Sequence, residues 1–412
     1  MSISSELQAI SKIVYPSGMP HAWYMQNPAL QDIKKVESPK LTGGELYNFA
    51  VSYSQGANGS ANYTRTSTNA GNNKYARFQV TRITDYAIAR MNGEDYEALA
   101  DDYTSIVNAW KDKVLGAYHE AMRSAAVQLF RNGTGSRGTL TGTVTDQTMT
   151  LGTISDVTGF YAGMVVQASA ADGGALRDSG ARETVAAVNR ATGVLTATSA
   201  DWNTVITALA SGDYIYRDGD GANGSTNVTF TGWGSWLVGG SSPAALFGAT
   251  RTTDPVALAG TAVDCTSITG MDEAVLEVAQ RVSIQDASKK VLYTNPRDKV
   301  NLVKLLEAKA RFSRPQQGSG ASVGFDGITF ESDSGPIELK GDINCPRNQF
   351  FLVAPEFCEA FSLGKIGKIL KQDGQEVRAR DAYDAYEMRI GTYGNFAVRF
   401  PGAMGRGYNW GL

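Results

Sequence analysis

The clearest hydrophobic pattern in the chain is a run of apolar residues, spaced by threes and fours, from Tyr96 to Leu129. This spacing puts the apolar side chains on one face of an α-helix. Asn92 is a good N-cap, acidic residues fill the first turns, and Asn132 followed by glycine provides a stop. We therefore predict a helix over residues 93–131, roughly 55 Å long. With a single apolar face, this helix should lie in a surface layer and not pass through a core.

Ahead of the helix, two stretches of alternating apolar and polar residues predict a long β-hairpin over about residues 45–85. The alternation covers residues 47–53 and 76–80, and the segment 55–73 between them is a long polar tip. Residues 1–44 carry four prolines and no sustained period, which predicts an extended arm. Because arm and hairpin have little core of their own, we expect other subunits to supply the surface that they cover.

A change in composition separates the middle of the chain from its ends. No lysine occurs between positions 113 and 289 and no proline between 39 and 243, while Thr, Ala, Gly and Val are frequent. Short apolar segments divided by Gly, Asp and Asn turns predict a small β barrel or sandwich here. We interpret residues 138–224 as a module inserted into a different parent domain, with a flexible exit at residues 218–224.

After the insertion, helical and strand patterns alternate, which predicts an α/β segment. Thr269 is placed to cap a helix that carries three valines, and a second helix is predicted over residues 298–310. The chain ends in a strand, because Phe396, Val398 and Phe400 alternate with polar or small residues. Further strands are predicted at residues 290–293, 328–330, 337–339 and 350–353.

Composition and charge narrow the classes of function. The 412 residues include 38 basic and 41 acidic side chains, a net charge of −3, which excludes a generally cationic nucleic-acid binder. Three widely spaced cysteines predict reduced thiols, and two histidines leave a histidine-based enzyme almost no choice of base. The N-terminus lacks a signal-peptide pattern and no 18-residue apolar run occurs, so we expect no membrane contact.

Three local patterns could carry chemistry, and each has a simpler interpretation. Residues 133–138 match the letters of a dinucleotide-binding loop, but they follow a predicted helix instead of a strand. Asp218 and Asp220 begin like a calcium loop that no acidic residue closes. His119 sits beside the apolar stripe of the long helix, where a packed or solvated imidazole is expected. We therefore expect no catalytic, cofactor or metal site, and we expect that the protein is not an enzyme.

Four segments keep a characteristic order along the second half of the chain. They are residues 291–296 before a helix, 327–330, 342–346 leading into 350–353, and 387–401. Together with the arm, hairpin and long helix, this order resembles the major capsid protein of tailed bacteriophages, the Hong Kong 97 fold. The resemblance implies an α+β capsid fold with an N-arm, an extended hairpin loop, a long spine helix, an axial α/β domain and an inserted small β barrel or sandwich.

The resemblance also implies a division of the chain. Residues 1–44 would be the N-terminal arm, 45–91 the extended loop, 92–137 the peripheral domain with its spine helix, 138–224 the inserted β domain, 225–370 the axial domain, and 371–412 the C-terminal strands that return to the peripheral domain.

By the same resemblance, the chain would be a non-enzymatic coat protein that forms hexamers and pentamers of an icosahedral shell around packaged double-stranded DNA. It would be made in the host bacterial cytoplasm and end in the virion head, touching DNA weakly and non-specifically. A separate scaffolding protein, a portal and a decoration protein are implied partners. The alternatives are an encapsulin-like compartment of the same fold, a β-rich phage tail or carbohydrate-binding protein, and an enzyme.

Charge suggests how subunits meet. The hairpin is net positive and the predicted start of the long helix is strongly acidic, so we expect the hairpin of one subunit to lie over a neighbour's helix start. The residues in this predicted contact are Arg65, Lys74, Arg77 and Arg82 on the hairpin, and Glu94, Asp95, Glu97 and Asp101 on the helix. Some capsids of this fold join a hairpin lysine to a neighbour's asparagine; Lys74 is the hairpin's one lysine, and we expect it to stay unlinked.

Overall fold

A computed structural model describes most of the chain, and every structural statement below concerns this part. The described residues are 27–37, 46–56, 59–94, 103–142, 144, 146–199, 201–224, 228–268, 270–284, 289–309, 329–332, 335–371, 375–380 and 383–410. Several predictions fall outside them: most of the arm, the start of the long helix with Asp95, Glu97 and Asp101, and the cap at Thr269.

The first part of the chain forms an arm segment, a hairpin, an edge strand and a long helix. In order these are α1 (Pro28–Asp32), β1 (Lys34–Val36), β2 (Leu46–Ser54), α2 (Tyr63–Thr68), β3 (Lys74–Thr81), β4 (Ile83–Asn92) and α3 (Tyr103–Leu129). Strands β2 and β3 pair antiparallel, with Phe49 opposite Phe78. The hairpin ends at Thr81, earlier than predicted, because β4 turns away to pair with a C-terminal strand. The tip, which the sequence indicates only as polar, contains helix α2.

The inserted module is a closed barrel of six antiparallel strands. Its elements are β5 (Ser136–Thr141), β6 (Thr148–Leu151), β7 (Val165–Ser169), β8 (Glu183–Asn189), β9 (Val194–Ala197), helix α4 (Trp202–Val205) and β10 (Tyr214–Arg217). The strand order around the barrel is β10-β5-β6-β9-β8-β7. Side chains fill its interior, including Phe160, Leu195 and Trp202, none of which is exposed. The sequence patterns predicted a barrel or sandwich from β6 onward but missed its first strand, which begins at Ser136.

The rest of the chain builds two further sheets. The elements are α5 (Trp233–Trp236), α6 (Pro255–Ala259), β11 (Thr261–Asp264), α7 (Met271–Ser283), β12 (Val291–Thr294), α8 (Pro296–Lys309), β13 (Thr329–Ser332), β14 (Gly335–Gly341), β15 (Gln349–Val353), β16 (Cys358–Ser362), β17 (Lys368–Ile369), β18 (Val377–Arg380), β19 (Tyr383–Val398) and β20 (Gly405–Tyr408). One sheet, which we call the mixed sheet, has the order β11-β20-β15-β12-β14-β13.

The second sheet is organised by β19, a strand of 16 residues, and we call it the long-strand sheet. Strand β19 pairs with β4 along one edge and with β16, β17 and β18 along the other, and β1 of the arm adds in parallel to β16. The C-terminal strand thus returns to the strand that precedes the long helix. The predicted boundary at residue 370 does not divide the sheets, because β16 and β17 lie before it and β20 of the mixed sheet lies after it.

Helix α3 contradicts the expectation of a surface helix in its C-terminal half. Ala117 and Ala121 pack against Ala87, Ala89 and Met388 of the long-strand sheet, as a one-sided helix would. From residue 124 to residue 130, however, every side chain is buried. Polar residues of this segment therefore face protein and not water: Ser124 contacts Arg137 of β5, and Gln128 bonds to Gly135 and Thr229 on either side of the barrel sequence. No helix within the described residues is long and apolar enough to span a membrane.

Candidate assembly surface

The base of the hairpin is anchored in the core of its own subunit. Trp236 of α5 is fully buried and lies 5.2 Å from Phe78, 6.2 Å from Phe49 and 5.6 Å from Phe247, measured between ring centroids. Aromatic rings at these distances contribute beyond the area that they bury. The backbone N–H of Gln79 also donates to the carbonyl of Phe247 at 2.9 Å. This half of the hairpin therefore needs no neighbour, which corrects the expectation that it lacks a core.

A buried carboxylate joins the arm and the hairpin to the long-strand sheet. Glu359 of β16 is 1% exposed and accepts hydrogen bonds from three separate elements. The donors are Lys34 Nζ of the arm at 3.1 Å, Tyr47 Oη of the hairpin at 2.8 Å and Arg399 Nε at 2.9 Å. Burial and the adjacent Glu359 carboxylate raise the pKa of Tyr47, so the phenol stays protonated and donates. Lys34 of the arm and Tyr47 of the hairpin thus donate to the same carboxylate.

The described end of the arm is held by the mixed sheet. Asp32 accepts a hydrogen bond from Tyr293 Oη at 2.6 Å and pairs with Lys340 Nζ at 2.8 Å. Burial, with Asp32 adding to it, raises the pKa of Tyr293. The N–H of Ala29 donates to the Asp342 carboxylate at 3.2 Å. Residues 27–37 are therefore part of the subunit's own packing.

The hairpin tip is different, because it projects from the subunit. Helix α2 contains no buried residue, and it begins where the Asn62 side chain accepts from the N–H of Arg65 at 3.2 Å. Two tyrosines are strongly exposed, Tyr63 at 86% and Tyr75 at 61%. Aromatic side chains in this position are typical of protein contact surfaces. The composition of this segment indicates only a polar tip, although Asn62 is a recognisable N-cap signal.

The predicted contact residues on the hairpin are distributed over its exposed part. Arg65 lies on the tip helix, and Lys74 and Arg77 lie on β3; all three are exposed, and none makes an ion pair with a described residue. Arg82, in the turn between β3 and β4, is half-buried. Glu94, which follows the end of β4 in the sequence, is exposed. Contact between these groups across two subunits stays a prediction.

A cluster that the sequence analysis missed fixes the barrel to the rest of the subunit. Arg217, at the end of β10, pairs with three carboxylates: Asp85 of β4 at 2.6 Å, Glu120 of α3 at 3.4 Å and Asp220 at 2.9 Å. Burial alone would lower the pKa of Arg217, but Asp220, Asp85 and Glu120 raise it above its ordinary value. One barrel side chain thus ties the inserted module to the strand that leaves the hairpin and to the long helix.

Arg137 on β5 extends this cluster into the interior. Its guanidinium is fully buried, donates to the carbonyl of Gly159 at 3.0 Å and lies 3.5 Å from Asp220. Burial lowers the pKa of Arg137. The backbone at Gly135, with φ of 93°, packs so closely on Asp220 that a side chain there would collide with its carbonyl. The predicted flexible exit at residues 218–224 is therefore wrong, because its carboxylates are held by arginines.

Replacing Arg217 with methionine should destabilise the chain by about 3 kcal/mol, since three carboxylates lose their shared cation while two of them stay buried. Arg182→Met is the matched control: it removes an exposed pair with Asp218, worth less than about 1 kcal/mol. Chemical denaturation of both variants measures the difference. Equal stabilities would show that the cluster does not fix the barrel.

The patterns that might have carried chemistry have structural roles. Residues 133–135 form the turn from α3 into β5, with Gly133 and Gly135 at positive φ, and residues 136–138 are the first of β5. The carboxylates of Asp218 and Asp220 pair with arginines instead of converging on one point. Among the described residues no group of three or more His, Cys, Asp or Glu side chains could hold a metal ion. The three cysteines are buried and unpaired.

Comparison with known proteins finds likeness in structure alone. No family model matches the chain, and no curated protein matches it. Among solved structures, the capsid asymmetric unit of cyanophage A-1(L) aligns with 96% of this chain and 95% of that chain, with a TM-score of 0.56 and 10% identity. The capsid of a native GTA particle aligns with 97% of this chain and 95% of that chain, with a TM-score of 0.51 and 9% identity. The predicted fold class is confirmed, including the inserted barrel.

Proposed function

From its Hong Kong 97-type capsid fold, we propose that the chain is the major capsid protein of a tailed phage, building an icosahedral head shell from hexamers and pentamers of itself. The observation that carries the proposal is the likeness to two capsid structures, which extends over 96% and 97% of this chain. A likeness confined to the barrel or to one sheet would have favoured a binding module.

The physical character of the surface supports the same proposal. The hairpin tip exposes Tyr63, Tyr75 and three cations without partners among the described residues, while its base is rigidly packed. A rigidly held hairpin with an exposed contact surface at its tip is preorganised to bind a neighbouring subunit at a fixed angle. The role is structural and not enzymatic, and the location is the virion head. Weak, non-specific contact with packaged DNA fits a net charge of −3. Scaffolding, portal and decoration proteins are the expected partners.

The inserted barrel would act as a brace. Arg217 fixes it to β4 and α3, the two elements that follow the hairpin, so it resists a change in the angle at which the hairpin leaves the subunit. Its filled interior is that of a packed structural module.

The contact between hairpin and helix can be tested by exchanging charges. Lys74→Glu with Arg77→Glu should lower the yield of closed particles by about tenfold or more, because like charges would then face each other across the contact. Glu94→Lys with Glu97→Lys should do the same. The four changes together should restore particles, since the attraction is re-formed with opposite signs.

Sedimentation of the four proteins, followed by electron microscopy of the heavy fraction, measures particle yield. Circular dichroism of the unassembled fraction checks that each variant folds. If both double variants give as many particles as the wild type, the proposed docking is contradicted. If both double variants are impaired and the fourfold variant does not restore particles, each charged set contacts a different surface.

A further inference from the structure

A half-enclosed pocket of about 270 Å³ lies where three parts of the subunit meet. Its walls come from the end of α3, from the barrel and from residues in and before β15 and on β20 of the mixed sheet. Three arginines line it: Arg131 after α3, Arg347 before β15 and Arg406 on β20. The carboxylates of Asp156 and Asp172 also line it, and Asp172 accepts hydrogen bonds from Asn132 and Thr134. The three guanidinium groups do not have the same partners, and the difference indicates what the pocket binds.

Two of the three arginines are neutralised within the chain. Arg131 pairs with Asp156 of the barrel at 2.8 Å. Arg347 pairs with Asp298 of α8 at 3.3 Å. Burial raises the pKa of both carboxyl groups, and the paired arginines oppose that rise. These two pairs are ordinary partly buried salt bridges.

Arg406 has no such partner. Its guanidinium makes no hydrogen bond or ion pair with any residue that the structure describes, and its contact is with the ring of Tyr408, 5.0 Å away. Its Nε is buried without an acceptor, and so is Nε of Arg131 in the same pocket. Burial lowers the pKa of Arg406, which no carboxylate offsets. Arg406 as a whole is half-buried, but a buried donor without an acceptor is costly, and buried donors are normally paired.

Arg251 shows how this chain satisfies an arginine that is purely structural. Arg251 is buried without a carboxylate, but its donors reach the backbone carbonyls of Ala244, Ser235 and Trp236 at 2.7, 2.9 and 3.4 Å. Arg406 has no such set of carbonyls among the described residues. Its buried Nε therefore lacks both of the solutions that the chain uses elsewhere, a carboxylate or a backbone carbonyl.

We propose that this pocket binds a small oxyanion of the phosphate class, with Arg406 as the residue that binds its charge. A planar guanidinium matches two oxygens of a phosphate, and Nε of Arg131 adds a further donor. The volume suits a single phosphate group and is below the usual size of sites for whole nucleotides. The anion could come from free phosphate or from a DNA backbone. The inference rests on one subunit and does not depend on the proposed function.

Titration calorimetry with inorganic phosphate, at constant ionic strength set with chloride, tests the site on the full chain. The wild type should bind one phosphate per chain, and Arg406→Gln should weaken binding by at least about tenfold. Arg182→Gln, which removes the same charge from an exposed position of the barrel, should bind like the wild type. Saturating phosphate should raise the Tm of the wild type and of Arg182→Gln, and leave that of Arg406→Gln unchanged.

Arg406→Lys keeps the charge and loses the planar guanidinium, so it should bind phosphate more weakly than the wild type. This variant tests the proposal if Arg406→Gln does not fold. If a short DNA duplex displaces phosphate from the wild type and has no effect on Arg406→Gln, the DNA backbone is the source of the bound anion. If the duplex has no effect on the wild type, the source is free phosphate. No phosphate binding by the wild type, or equal binding by folded Arg406 variants, would overturn the proposal.

Discussion

A Trp236→Ala variant should lose about 4 kcal/mol of its free energy of unfolding, because truncating a fully buried tryptophan removes its packing and leaves a cavity. The structural effect of the substitution should be confined to the hairpin. Trp236 contacts Phe49 and Phe78, one from each strand of the hairpin, so the hairpin should lose its hold on the subunit. Chemical denaturation measures the first effect, and limited proteolysis within residues 46–81 measures the second.

Trp202→Ala is the control for this prediction. Trp202 is also fully buried, but it lies in the core of the barrel. Its truncation should cost a similar free energy and leave the hairpin as resistant to protease as in the wild type. If both variants expose the hairpin equally, then the hairpin is sensitive to general loss of stability and Trp236 is not its anchor.

Removing the hairpin tip should abolish closed particles without unfolding the subunit. In the variant, residues 55–73 are replaced by Asn-Gly, a two-residue turn that joins β2 to β3 in a tight hairpin. The deletion removes α2, none of whose residues is buried, so the Tm should stay within a few degrees of the wild type. Assembly should fail because the exposed tyrosine and arginine of the tip are gone. Particles of normal size from this variant would show that the tip is dispensable.

Elements that bury one face were predictable from the sequence, because their periodicity is local. The threefold and fourfold spacing before Leu129 predicted α3, and alternation predicted the hairpin. Short apolar segments between turn residues predicted most of the barrel. Strands with mixed or small residues were missed for the same reason. Strand β5, with the sequence SRGTLT, and β20, with GRGY, carry no alternating apolar pattern. Each is a strand because of its neighbours in the sheet.

Contacts between distant parts of the chain could not be predicted. Arg217, Asp85 and Glu120 are far apart in sequence, and each is an ordinary charged residue in its own segment. The same holds for Glu359, which receives donors from the arm and the hairpin more than 300 positions away. Such clusters depend on tertiary packing, for which one sequence holds no local signal.

The error about α3 has a definite cause. Polar residues such as Ser124 and Gln128 indicate a solvent-exposed side only if nothing covers it. Here the barrel that follows α3 folds back over that side, and Gln128 donates to the carbonyl of Gly135 at 3.4 Å. A one-sided pattern thus predicts which face is apolar, while whether the polar face meets water depends on the inserted module.

Electron microscopy of the chain co-expressed with its neighbouring genes, beside the variant with the shortened hairpin expressed in the same way, tests whether subunits close into a shell through their hairpins. We expect closed, icosahedral particles from the wild type, with the hairpin of each subunit crossing its neighbour, and only small species from the variant. A wild-type chain that remains a monomer in the presence of those gene products, with its hairpin tip intact and unengaged, would contradict the proposed assembly.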